Sequence, residues 1–146
     1  MVNTAYRLIV KGLWLELLGR LHESSTVTVK SGKDSIVRRI GFTIEKMHAE
    51  PGRGWQKKEL ADMVGWTPNH YSMRFRQIVR RSPMDYLIHH RLERASQLLS
   101  STMLNISEVA DQVGFNSMSY FARCFKHTYG YTPKTFREVR EDRNTW

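Results

Sequence analysis

The chain is 146 residues long, carries a formal net charge of +9 and contains one cysteine. That length suits one domain, or one domain with an appendage, and a lone cysteine excludes an internal disulfide framework and fits a reducing compartment. No apolar run is long enough to cross a bilayer and no secretory signal is evident, so a soluble cytoplasmic protein with a polyanionic partner is expected. The charge does not locate that partner: residues 1–55 hold nine Lys/Arg against five acids, and residues 56–146 hold fourteen against nine.

Residues 4–23 read as a broad amphipathic helix, with Leu8, Ile9, Leu13, Trp14, Leu17, Leu18 and Leu21 on its apolar side. Ser24 to Lys33 is a polar linker, so the helix is expected to couple or dimerise rather than pack back on the rest. Residues 34–50 form the next helix, capped by Asp34, with Ile36, Val37, Ile40, Ile44 and Met47 facing a core. The Pro51-Gly52-Arg53-Gly54 run stops it. Trp55 then precedes a first short helix and turn, ending at Gly65, and Thr67-Pro68 caps a second helix carrying Tyr71 and Phe75. Two short helices across a glycine turn make a helix-turn-helix pattern.

Pro83 opens a longer helix to about Leu99, buried through Leu87, Leu92, Ala95, Leu98 and Leu99, with Arg91 and Arg94 expected to face outward or pair with acids. At about 1.5 Å per residue it spans roughly 25 Å, a spacer that can hold two recognition helices about one DNA turn apart. After it the pattern recurs. Asn105 and Glu108 form a capping box around a helix bearing Ile106, Val109, Ala110 and Val113, and Gly114 ends it. Ser117 caps the next helix, whose Phe121, Cys124, Phe125 and Thr128 point inward. Thr132-Pro133 opens a last helix with Phe136 and Val139 inward.

The two patterns are copies. Ala61, Val64, Gly65 and Trp66 match Ala110, Val113, Gly114 and Phe115 at an offset of 49. Thr67, Tyr71, Phe75, Arg76, Pro83 and Tyr86 match Ser117, Phe121, Phe125, Lys126, Pro133 and Phe136 at an offset of 50. The step falls in the turn, where an insertion disturbs no helix face. Solenoids stack three or more such units, so two units favour a paired module. The expected fold is all-α: two helix-turn-helix subdomains on a long linker helix, with an extra N-terminal amphipathic helix. The expected divisions are 1–33 for the coupling helix and linker and 34–146 for the paired domain, with the first copy at 34–82, the linker helix at 83–100 and the second copy at 101–146.

The second copy, GF-x-S-x-SYF-x-R-x-FK-x-x-x-G-x-TP-x-x-FR, together with LADMVG and RLERASQLL upstream, resembles the paired helix-turn-helix domain of AraC/XylS-type bacterial transcription regulators over about residues 35–140. The resemblance implies a regulator, usually an activator, that binds adjacent major-groove segments of double-stranded DNA near the nucleoid, with RNA polymerase as a further partner. It also implies that residues 1–33 join this domain to an effector-binding domain absent from this sequence, unless the protein is a short stand-alone regulator. The family usually has glycine where Arg80 stands; a non-glycine there either continues the helix, so that the first recognition helix ends differently from the second, or accepts backbone strain.

Positions on the two second helices give the candidate interface. Base-reading candidates are Asn69, Ser72 and Met73, beside Pro68, in the first copy, and Met118, Ser119, Ala122 and Arg123 in the second. Arg123 suits guanine and Asn69 suits adenine, each through paired hydrogen bonds, whereas Met73 and Ala122 are poor hydrogen-bonders. Arg76 and Lys126, a turn further along, suit phosphates, as do the helix starts at Lys57, Lys58, Asn105 and Ser107. Catalysis is not expected: the histidines stand singly apart from His89-His90, whose side chains diverge on a helix, and Cys124 is lone, without zinc spacing. No metal or cofactor is expected. Two other readings stay open: an interaction module pairing through residues 4–23 that antagonises other regulators, and an unspecific architectural DNA binder.

Overall fold

The computed structural model describes residues 32–143, with side chains over 35–140. The described residues form seven α-helices: α1 (Gly32–Ala49), α2 (Lys57–Met63), α3 (Pro68–Val79), α4 (Pro83–Ser101), α5 (Ile106–Gln112), α6 (Met118–Tyr129) and α7 (Pro133–Arg143). The helix expected at residues 4–23 lies outside them. Helix α1 begins two residues before Asp34, so that residue sits within the first turn rather than capping it.

Each half buries its own core. Ile40, Ile44 and Met47 of α1 meet Trp55, Leu60, Ala61, Val64, Tyr71, Phe75, Tyr86 and Leu87. In the second half Leu92, Ala95, Leu98 and Leu99 meet Val109, Ala110, Val113, Phe115, Phe121, Phe125 and Phe136. Helix α4 therefore supplies the end of one core and the start of the next, the placement expected of a connecting helix. Trp55 is buried beneath α2 and its indole N–H donates to the Glu50 carbonyl at 2.9 Å. The packing reveals a further equivalence: Ile40, Thr43 and Met47 of α1 occupy the places of Leu92, Ala95 and Leu99 of α4.

Thr43 is the buried polar member of the first core. Its hydroxyl donates to the Ile40 carbonyl at 2.8 Å and accepts the Tyr71 hydroxyl at 3.0 Å. The second core has Ala95 and Phe121 at these positions, so both polar groups are present in one copy and both absent in the other. That is the expected outcome when an unpaired buried hydroxyl would be costly.

The caps follow the sequence closely. Asn105 and Glu108 form a reciprocal capping box, Ser117 and Thr67 accept from the amides three residues on, and Gln56 makes no side-chain cap. Cys124 is half-buried rather than fully enclosed. The largest departure is Arg91. It neither faces outward nor pairs with an acid: its guanidinium donates to two backbone carbonyls, Pro51 at 2.7 Å and Arg53 at 2.6 Å. Arg39 and Arg137 act similarly, donating to the Val64 and Leu99 carbonyls near the ends of α2 and α4. A cation suits a helix C-terminus because its last carbonyls lack intrahelical donors.

Candidate nucleic-acid interface

Helices α3 and α6 each begin at a hydroxyl cap and run twelve residues. Tyr71 and Phe75 fix one face of α3 in the first core, and Phe121 and Phe125 do the same for α6. Helical geometry then sends the residues between them outward. On α3, Asn69, Met73 and Arg76 are exposed and Ser72 is half-exposed. On α6, Met118, Ser119, Arg123 and Lys126 are exposed and Ala122 is half-exposed. All of these sequence candidates thus lie on the two outer faces. Neither helix contains an acid. The faces present donors, small groups and cations, the set that can approach a phosphate-lined groove without charge repulsion.

The left-handed caps place a further cation beside the first face. Arg80 adopts φ 64° and ψ 15° after α3, and Gly130 adopts φ 81° and ψ −11° after α6. The backbone N–H of each closes back on the helix, Arg80 to Arg76 and Gly130 to Lys126. The two helices therefore end in the same way: of the two courses open to a non-glycine there, continuing the helix or accepting strain, Arg80 takes the second. The first turn is simply made by a residue that resists it. Arg80 joins Ser72, Met73, Arg76 and Gln77 around an open hollow on α3. In the sequence Arg80 stands out only by replacing a glycine, although its offset of 50 from Gly130 marks it as a cation at the end of a recognition helix.

Tyr120 was also missed. It is exposed at the start of α6, and the Arg123 guanidinium lies over its ring at 5.4 Å. A planar cation stacked on an aromatic face keeps its donors free at the edge while losing rotamer freedom in advance. At the helix starts, Lys57, Lys58 and Ser107 are exposed. Lys58 pairs with Asp62 at 2.9 Å. Asn105 is differently engaged: its N–H donates to the Glu108 carboxylate at 2.7 Å, and its amide oxygen accepts the Glu108 N–H at 2.9 Å. A carboxylate thus stands where a phosphate oxygen would approach Asn105.

Known proteins are similar to this chain in sequence and in fold. The family profile described as "Helix-turn-helix domain" matches residues 60–139. The HTH-type transcriptional regulator AlkR of Acinetobacter baylyi is 36% identical over 99 residues, 68% of this chain and 32% of that protein. The RCS-specific HTH-type transcriptional activator RclR of Escherichia coli is 31% identical over 100 residues, 68% of this chain and 35% of its own. This chain therefore spans about a third of the length of these curated relatives. Among solved structures, the DNA-binding domain of AdpA in complex with a target DNA superposes with a TM-score of 0.70 at 22% identity, covering 72% of this chain and 95% of that one; at that identity the likeness is one of fold. The C-terminal domain of the response regulator yesN of Fusobacterium nucleatum has a TM-score of 0.61 at 31% identity, covering 68% and 95%. Among the described residues no helix is long and apolar enough to cross a membrane.

Proposed function

We propose, for a chain that belongs to the AraC-type helix-turn-helix family, that it is the DNA-reading part of a sequence-specific transcription regulator, an activator, using α3 and α6 in two adjacent major-groove segments. One observation carries this reading: two acid-free, outward helix faces stand at equivalent places in a repeat, each anchored by its own aromatic pair. The curated relatives are named as transcriptional regulators, which supports the same role here. Arg123 reads guanine and Asn69 reads adenine through paired hydrogen bonds. Ser72 and Ser119 serve as adaptable hydroxyls, and Met73, Met118 and Ala122 meet thymine methyls. Arg76, Lys126, Lys57, Lys58 and the first-turn N–H at Ser107 hold phosphates. Asn105 is reserved for capping.

In this proposal residues 34–146 are the DNA-binding unit, and residues 1–33 couple it to an effector-binding domain and pair two copies through residues 4–23. RNA polymerase is the downstream partner, and the site of action is the cytoplasmic nucleoid. The test is selection of binders from a random duplex pool, with the affinity of the winner and of a scrambled duplex taken across salt concentrations. A specific regulator prefers the winner by roughly 10³-fold or more, in two blocks of bases about one turn apart. Arg123→Ala relaxes preference in one block, while Lys126→Ala lowers the salt slope by about one unit. Equal binding of winner and scramble refutes specific readout in favour of the architectural reading. Failure to bind either duplex transfers the role to protein interaction.

A further inference from the structure

The loop between α1 and α2 is longer than its counterpart in the second half. Met47 and Leu99 are equivalent at an offset of 52, whereas Trp55 and Leu104 are equivalent at 49, so the first loop carries three more residues (52 − 49). Those residues are Pro51-Gly52-Arg53-Gly54 less one, and they reach across to the other half. The Gly52 backbone lies against the α5–α6 turn so closely that a Cβ on Gly114 would fall 2.7 Å from the Gly52 Cα and carbonyl oxygen. A Cβ on Gly52 would meet the Gln112 carbonyl at 3.1 Å. Arg91, from the middle of α4, holds the same loop by the Pro51 and Arg53 carbonyls. The Arg53 side chain ties it back to the first half, bonding Glu59 of α2 and lying 4.2 Å over the Trp55 ring.

We propose that the Pro51–Gly54 loop is a clasp between the two halves, with Arg91 as its positioning residue, and that it fixes the spacing at which α3 and α6 meet DNA. The physical need is plain. Without the loop, α4 would be the main connection, and Ile88 to Arg91, between its two buried stretches, are only half-buried. A single helix joining two cores resists stretching but bends and twists. A second strut, landing on the turn that leads into α6, makes the link a closed frame. Precise reading requires such a supporting shell. Inserting one base pair between two blocks moves one of them by about 3.4 Å and about a tenth of a turn. A rigid frame cannot follow that displacement, and a loose one can.

The inference rests on the two-helix reading above, so its test includes a readout without DNA. Spin labels at Gln77→Cys and His127→Cys, exposed equivalent positions on α3 and α6, in a Cys124→Ala background of the full chain, report the distance between the helices. Arg91→Met retains the apolar stem and removes both donors. The expected result is a narrow distance distribution for the parent and a broad one for Arg91→Met. On the duplex selected from the pool, one inserted base pair costs the parent about tenfold in affinity, falling to about threefold or less in the variant. An unchanged distance distribution and an unchanged spacing penalty overturn the clasp. Broadening with no spacing penalty in either protein upholds the clasp and refutes two-helix readout instead. Should Arg91→Met fail to fold, Gly52→Val leaves both cores and Arg91 in place, and the same two measurements decide.

Discussion

Replacing Arg80 with glycine should stabilise the protein and weaken its hold on DNA at once. Arg80 has a left-handed backbone at φ 64°, and no other non-glycine residue among those described has a positive φ. For an L-residue this conformation costs about 1–2 kcal/mol. Glycine avoids that cost but gives up about 0.5–1 kcal/mol through its freer unfolded chain. The difference leaves Arg80→Gly more stable by about 0.5–1 kcal/mol, or about 2–5 °C in Tm for a domain of this size. Arg80→Ala is the control, because it keeps the strain and removes the same exposed charge; its stability should change by less than about 0.5 kcal/mol. Urea unfolding of the three proteins gives the comparison, with the midpoint moving and the slope constant. Arg80 also borders the hollow formed by Ser72, Met73, Arg76 and Gln77, so loss of a phosphate contact there should flatten the salt dependence of binding by about one unit in both variants. If Arg80→Gly is no more stable than Arg80→Ala, the strain argument fails. An unchanged salt slope removes Arg80 from the interface.

Three further outcomes follow from the packing. Thr43→Val strands the buried Tyr71 hydroxyl and should cost about 1–3 kcal/mol, whereas Thr43→Val with Tyr71→Phe should recover most of that loss; a double-mutant cycle showing simple additivity would remove the coupling inferred from Ala95 and Phe121. Gln56→Asn should stabilise by about 0.5–1 kcal/mol, since Gln56 already has the extended backbone of a cap and lacks only the side-chain bond that Asn would make; thermal melts decide. Acidification should destabilise the α1–α4 contact, where the His48 and His90 rings stack at 3.9 Å and His48 bonds the Tyr86 hydroxyl at 2.9 Å. Burial lowers both histidines, and with repulsion from His48, Arg94 and His89 it pushes His90 down to about 4. The folded pKa lies below the unfolded value, so the stabilisation is whole above about pH 6.5 and is lost as pH falls toward 4. Allowing for partial exposure, about 1 kcal/mol should go between pH 7 and pH 5, and His90→Phe should lessen that loss without abolishing it, because burial lowers His48 and, with Arg81, pushes His89 down to about 4 as well.

What could be read from the sequence was whatever a residue type states locally. Asn105 with Glu108 announces a helix start because its side chains bond to their own backbone, and Phe121 with Phe125 announces a buried face because the spacing leaves no other choice. Repetition then turned two weak patterns into one strong one and carried the outward positions of α3 and α6 with it. Arg91 was illegible for the opposite reason. Its partners are the carbonyls of Pro51 and Arg53, 40 and 38 residues away, and a carbonyl has no residue identity for a pattern to register. An arginine on a helix is then assigned by default to solvent or to an acid, and both defaults were wrong here. The Thr43–Tyr71 pair lies between these cases. Each residue alone looks ordinary, and only aligning α1 with α4 at 52 rather than 49 shows that Thr43 and Tyr71 change together to Ala95 and Phe121. The three residues separating those offsets are what obscured the match, and they are the same residues that bridge the halves. The feature that broke the repeat in the sequence is thus the feature that joins its two copies in space.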